Sequence, residues 1–305
     1  MATVTGSVLV TGASSGMGKA CAVHLARAGY TVFAGVRKER DAEALNQVGL
    51  SRLKPVILDV TNTETISSVR QQVSEIVGDA GLYGLVNNAG VGVTSPIELV
   101  PLEELQRQFT VNVVGQVATI QAFLPLIRAA HGRIVNVGSV GGSVTIPFGG
   151  PLCASKHALA SINDALRMEL RPWGIHVALV IPGTIRTEAA DKLKADGDAM
   201  VKTFSPEGRA RYASTYRAFV KTFLTQHEHG ADPDLMAQAV YRALSSPRPA
   251  YHYPVGPRSR LLPLLGMLLP TGVLDVVRTR MLGVYQPFDS AKDAAETSAF
   301  VTSLS

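Results

Sequence analysis

The chain is poor in cysteine and tryptophan, with two of the first and one of the second in 305 residues. Cys21 and Cys153 make no disulfide framework and fit no metal-ligand spacing. A reduced compartment, and so a cytoplasmic location, is the simpler expectation. Charge is also sparse, at 17% of residues, and no run of five or more basic residues occurs. The net charge of +5 is therefore scattered, which predicts no nucleic-acid partner. The N-terminal MATVTGSVLVTG has no basic leader before its apolar residues, so no signal peptide is expected. The most apolar run, LLPLLGMLLP at 261–270, holds Pro263 and Pro270 and is too short to span a bilayer. VGSVG at 137–141 lacks the first glycine of a nucleophile elbow, which excludes that form of serine hydrolysis. What remains is a chain 46% apolar and long enough for a sizeable core.

The apolar residues are arranged in a rhythm. SVLVT (7–11), TVFAGV (31–36), PVILDV (55–60), GLVNNA (84–89), RIVNVGS (133–139) and HVALVIP (176–182) are apolar on successive residues, as strands buried on both faces are. Helical stretches separate them, among them 18–29, 62–77 and 102–130. Asn62 or Thr63 is placed to cap the second of these, and Gly29 and Gly78 stand where helices end. Such alternation predicts an α/β fold: a three-layer, doubly wound parallel sheet with helices on both faces. After about residue 185 the rhythm is lost. Residues 187–245 read as helical, with Asp232 and Pro233 opening a helix at DPDLMAQAVYRAL; AYHYPVG (250–256) reads as a last strand, and 258–283 as an apolar helix pair. One domain over 1–305 is expected, with a nucleotide-binding core at 1–186 and a helical C-terminal lid, last strand and tail at 187–305.

TGASSGMG (11–18) follows the first strand and opens the first helix, with glycines at 12, 16 and 18. Small residues there let the backbone turn sharply and approach a pyrophosphate seated on the helix N-terminus, giving the Rossmann-like site. The second strand runs into GVRKER, with Arg37 and Lys38 where an acidic residue would favour NAD(H). Cations suit a 2′-phosphate, so NADP(H) is expected, with NAD(H) the alternative. Asp59, after the third strand, either accepts from an adenine amino group or caps the next helix.

Taken together, TGASSGMG, NNAG (87–90), Asn112 in VNVVG, Ser139 in GRIVNVGS, CASK (153–156) and PGTIRT (182–187) resemble the short-chain dehydrogenase/reductase family over roughly the first 190 residues. QAFLPLIR (121–128), GRIVNVGSVGG (132–142) and IPFGGPLCASKHAL (146–159) look like its estradiol 17β-dehydrogenase and retinol dehydrogenase branch, and Arg37 is similar to that branch's NADP-selecting arginine. The resemblance implies that Gly12, Ser14, Gly16, Met17 and Gly18 hold the pyrophosphate. Asn87, Ala89 and Gly90 would support the adenosine half, and Pro182, Gly183 and Thr187 the nicotinamide carboxamide. Lys156 would bond the nicotinamide ribose, Ser139 the substrate carbonyl, and Asn112 a proton-relaying water. It also implies a small hydrophobic substrate and a homodimer or homotetramer.

The family's proton-donating tyrosine should lie thirteen residues after Ser139 and four before Lys156. Both counts land on Leu152. Leucine has no exchangeable proton, and general acid–base catalysis is commonly worth about 10²–10⁴-fold. Severe loss of ordinary ketone reduction or alcohol oxidation is therefore expected, either in an altered enzyme or in a cofactor-binding protein without turnover. Cys153 is a poor substitute because neighbouring helical residues point about 100° apart. Tyr212, Tyr216 and His227 in the lid are the other protic candidates. For the apolar tail, with Arg258, Arg260, Arg278 and Arg280 around it, a buried lid is favoured over an interfacial membrane helix.

Overall fold

The computed structural model describes residues 6–186 and 190–284, with side chains from 190 to 194 left aside. Thr187 and the tail beyond 284 lie outside the described residues. Seven parallel strands form one sheet in the order β3-β2-β1-β4-β5-β6-β7. They are β1 (Ser7–Val10), β2 (Thr31–Val36), β3 (Leu53–Ile57), β4 (Gly84–Asn87), β5 (Arg133–Val137), β6 (His176–Pro182) and β7 (His252–Val255). The helices are α1 (Gly16–Arg27), α2 (Glu39–Asn46), α3 (Thr63–Val77), α4 (Leu102–Phe109), α5 (Gly115–Ala129), α6 (Gly150–Leu170), α7 (Ala190–Thr203), α8 (Pro206–Glu228), α9 (Pro233–Ser245), α10 (Leu261–Leu268) and α11 (Thr271–Met281).

The continuous apolar runs follow directly from the pleat. Successive strand side chains point to opposite faces, and here both faces are covered. Val8, Val10, Val32, Ala34, Val135, Val137, Ala178 and Val180 pack on one side with Cys21, Ala22 and Leu25 of α1 and Met236, Ala237 and Val240 of α9. Their neighbours Leu9, Phe33, Ile134 and Val177 point the other way, onto Ile66, Val69 and Val73 of α3 and Ile120, Phe123 and Ile127 of α5. Fully burying each Val, Leu, Ile, Phe or Met side chain among them contributes about 1.5–3 kcal/mol relative to exposure. Polar residues on either face would therefore be costly, and this is why period-two alternation is missing from these strands.

Local signals set several boundaries. The Asn62 side chain accepts from the Glu64 and Thr65 amides and caps α3. Asp232 accepts from Asp234 N, with Pro233 in the first turn of α9. The stretch expected as one helix over 102–130 is instead interrupted. Five residues of π-helix, Thr110–Val114, separate α4 from α5. Together Leu102–Ala129 is the one stretch among the described residues long and apolar enough to cross a membrane, yet its Ile120, Phe123 and Ile127 belong to the core beneath the sheet.

A third cluster forms the lid. Val201, Phe204, Ala213, Tyr216, Phe219 and Leu282 are buried together, with Phe148 and Phe223 packed against them. Phe148 meets Tyr216 and Phe219 edge-on at 5.6 and 5.5 Å. The Tyr216 hydroxyl donates to the Thr94 carbonyl at 2.8 Å and shares a bond with Thr94 Oγ1 at 2.9 Å. This ties α8 to the loop that follows β4. Replacing Tyr216 by Phe leaves Thr94 with unmet buried polar groups, which costs about 1–3 kcal/mol. Urea unfolding should show a lower midpoint with an unchanged slope, whereas Tyr212→Phe, at an exposed bond to Glu98 of 2.7 Å, should shift it little.

Candidate active site

The strand order reverses between β1 and β4, since β2 and β3 lie on one side of β1 and β4 to β7 on the other. A crevice opens at the carboxyl ends of strands at such a point. The glycine loop fills its floor. Gly12 has φ +67, and a Cβ there would lie 2.8 Å from Ala89 Cα. At Gly18 a Cβ would meet Gly12 O at 2.1 Å and Asn88 Nδ2 at 2.4 Å. The Asn88 amide donates to Thr11 O at 3.0 Å and to Gly12 O at 3.1 Å, while Thr11 Oγ1 accepts from the Asn88 and Ala89 amides, both at 3.0 Å. Gln116 of α5 donates to Ala89 O. The loop is thus locked to β4 by side chains on both sides.

The first turn of α1 carries no acidic residue, and Ser15 at its N-cap makes no side-chain capping bond. Ser14 is exposed beside it, and Met17 packs partly buried on the core. These uncapped amide donors, with the helix dipole behind them, suit an anion. Arg37 and Lys38 are exposed after β2, and neither is ion-paired to a carboxylate among the described residues. Asp59 does not cap α3, a place Asn62 holds. Its Oδ1 instead accepts from the Thr61 amide and hydroxyl at 2.9 and 2.7 Å. Asn87 is buried in a chain of amides: its Nδ2 donates to Asn136 Oδ1 at 3.1 Å, and Asn136 Nδ2 donates to Asn163 Oδ1 at 3.0 Å. Pro182 ends β6, and the Gly183 amide donates to Val255 O at 2.8 Å, with no room for a Cβ beside Pro257 O.

The chemistry-bearing residues meet on α6 and the loop after β4. Asn112 stands in the π-turn, a helix defect common at functional sites. Its Oδ1 accepts from Val91 N at 2.9 Å, and its Nδ2 donates to Val91 O at 2.9 Å and Ser155 Oγ at 3.0 Å. Both ends of the amide are therefore engaged by protein atoms. Gln108 repeats the pattern, donating to Val91 O at 2.8 Å and Ser155 Oγ at 3.2 Å and accepting from Val93 N at 2.6 Å. Ser155 Oγ in turn donates to Leu152 O at 2.8 Å. Gln108, Gln116, Ser155 and Asn88 are not singled out by the sequence, because polar residues inside helices and turns read as solvated faces.

Leu152 lies one helical turn before Lys156 and so on the same face of α6. It is half-buried, and its Cδ2 lies 3.9 Å from where a Gly92 Cβ would be. Ser139 Oγ accepts from the Gly141 amide at 3.0 Å. Cys153 is buried, its thiol turned onto Val144 O at 3.9 Å, and burial pushes its pKa up. Of the lid candidates, Tyr216 is held by Thr94, Tyr212 by Glu98, and His227 Nδ1 lies 2.8 Å from Phe223 O. Among the described residues no group of three His, Cys, Asp or Glu side chains is placed to hold a metal ion.

The profile described as short chain dehydrogenase matches residues 6–198. Human retinol dehydrogenase 16 is 36% identical over 280 residues, covering 88% of this chain and 86% of the relative. The chain belongs to the short-chain dehydrogenase family. Mouse estradiol 17-beta-dehydrogenase 2 is 35% identical over 283 residues, covering 89% of this chain and 73% of its own. A solved short chain dehydrogenase from Burkholderia cenocepacia, in complex with NADP, is 26% identical with a TM-score of 0.67, covering 92% of this chain and 99% of its own.

In this short-chain dehydrogenase Lys156 Nζ donates to Val137 O at 2.8 Å, and no carboxylate among the described residues pairs with it. Burial lowers its pKa from 10.5 to about 8. The folded chain therefore releases this proton where the unfolded chain still holds it. Below pH 8 both states are protonated and the desolvation cost is constant. Between about 8 and 10.5 the unfolded state binds more protons, so stability rises with pH, by up to about 1.4 kcal/mol per unit. Unfolding free energies across this window should rise for the wild type relative to Lys156→Met; parallel curves would show that the ammonium is not desolvated.

Proposed function

We propose that the chain binds NADP(H) and is built for hydride exchange with a lipophilic alcohol or ketone, its ordinary proton transfer severely impaired. The observation that carries this reading is Leu152, an aliphatic side chain one turn before a buried lysine, against the loop that follows β4. The uncapped amides at the start of α1 and the Gly12–Ala89 approach fit a pyrophosphate. Arg37 and Lys38 would hold the 2′-phosphate, and Asp59 the adenine amino group. Lys156 would hold the nicotinamide ribose, with Pro182 and Gly183 beside the carboxamide and Thr187 next in the chain. The named relatives act, by their names, on retinol and estradiol, which supports a small hydrophobic substrate.

When bound, the nicotinamide would supply hydride to a carbonyl carbon or take it from a carbinol carbon. Ser139 would hold the substrate oxygen. The resulting alkoxide needs a proton, and Leu152 cannot give one. Lys156, with its depressed pKa, is the nearest titrating group on that face and could deliver a proton only through a water. One oxyanion-stabilising donor is lost with the phenol, commonly costing about 10²–10³-fold; this loss and that of the acid need not add.

Leu152→Tyr should raise NADPH-dependent reduction by about 10²–10⁴-fold on a panel of lipophilic ketones and aldehydes. Brisk turnover by the wild type, unchanged by the substitution, would overturn the reading. A second reading, a cofactor-binding protein without turnover, is favoured by the same leucine. It predicts saturable NADPH binding and no detectable product from the wild type.

The cofactor choice has its own test. NADPH fluorescence titration should saturate with the wild type. Arg37→Ala should weaken NADPH by about tenfold or more, from one lost charge-assisted contact, and leave NADH unchanged. Equal loss for both cofactors would remove the 2′-phosphate assignment.

A further inference from the structure

The sequence favours a buried lid for LLPLLGMLLP, yet none of the eight residues of α10 is buried. Leu261 is 54% exposed, Leu264 51%, Met267 83% and Leu268 69%, with Val273 of α11 at 50%. Contiguous apolar surface of this kind marks a contact site. The helix is nevertheless fixed on its other side. A Cβ at Gly266 would lie 3.2 Å from Val144 Cγ2 and 3.9 Å from Ser143 O, so the backbone of α10 rests on the turn that follows Ser139. Leu274 and Leu282 are buried and anchor α11.

The charge carried by this segment is mostly of one sign. Residues 256–284 hold four arginines and a single carboxylate, Asp275; Asp275 is 3.6 Å from Nη1 of Arg278, whose side chain is mostly buried, while Arg258, Arg260 and Arg280 are exposed. Arg260 is exposed at the N-cap of α10, and Arg258 reaches Gln226 Oε1 at 3.4 Å. Eight helical residues are about 12 Å long, far short of a hydrocarbon core of about 30 Å. The helix can lie in an interface but cannot cross it.

We infer that the exposed face of α10, with its flanking arginines, seats on an anionic lipid surface. The aliphatic side chains enter the acyl boundary and the guanidinium groups meet the headgroups, the arrangement that holds interfacial helices. On the lipophilic-substrate reading, a substrate dissolved in lipid would arrive beside the Ser139 turn; the docking itself does not rest on that reading.

Flotation of the full chain tests it, with vesicles of phosphatidylcholine alone and of phosphatidylcholine mixed with phosphatidylserine. The wild type should float with the mixed vesicles and less with the neutral ones. A Met267→Asp/Leu268→Asp double variant should stay in the bottom fraction while keeping its thermal midpoint and its NADPH titration. Arg260→Glu should lower partition onto the mixed vesicles by about fivefold or more and leave the neutral ones unaffected. Wild-type protein that stays at the bottom, or a double variant that floats as well as the wild type, would overturn the inference. So would a wild-type dimer, split by the double variant in light scattering, that never floats; the face would then belong to a second copy. Flotation does not read turnover, so a failure of the hydride reading leaves this result standing.

Discussion

The Asn88 side-chain amide, held between the carbonyls of Thr11 and Gly12 at 3.0 and 3.1 Å, is the constraint on which the site depends. It fixes the loop after β1 to the end of β4, the two strands between which the sheet order reverses. Gly18 must then pass so close to Gly12 O that a Cβ would lie 2.1 Å away. That passage aims α1 into the crevice with its first amides uncapped. A phosphate site of this kind is made of backbone, and side chains serve only to hold the backbone there. On the proposed function, the nucleotide half of the site makes no use of the side chain at position 152.

The α6 side of the crevice is held by a second network, centred on Val91. Its carbonyl accepts from both Asn112 and Gln108, and both of those amides also reach Ser155. Ser155 closes the network on the Leu152 carbonyl. What α6 contributes to this network is the Ser155 hydroxyl and the Leu152 carbonyl, so the network makes no demand on the Leu152 side chain. Leucine fills space against Gly92 and leaves the hydrogen bonds intact. A phenol at this place would add a hydroxyl to a framework that is already complete, which is why fold and proton chemistry can be separated by one residue.

The strands are legible in the sequence because both sheet faces are covered, and an unbroken run of Val and Ile suits few environments besides a strand buried on both sides. β2 and β6 match their expected ranges. β3 does not: the apolar run 55–60 suggests a later strand than Leu53–Ile57. Leu58 and Val60 are buried although they follow the ladder, and pattern reports burial rather than pairing. The π-turn at Thr110–Val114 is not legible at all. It rotates Asn112 toward a partner 21 residues away in sequence, and no local propensity encodes that. Gln108 and Ser155 are hidden in the sequence for a related reason, since their burial is decided by each other.

The lid shows the opposite failure of inference from composition. Leucine-rich sequence suggests core, yet the lid's core is largely aromatic, with Phe148, Phe204, Tyr216 and Phe219, while Leu261, Leu264 and Leu268 of α10 are exposed. The reason is spacing. Phe219 and Tyr216 sit three apart on α8 and present one stripe to Phe148, whereas LLPLLGML is apolar all round. Gly266 permits close approach to Val144 and Ser143, so the glycine side turns inward and the larger side chains are left on the surface. This apolar segment is thus displayed beside the turn that follows Ser139.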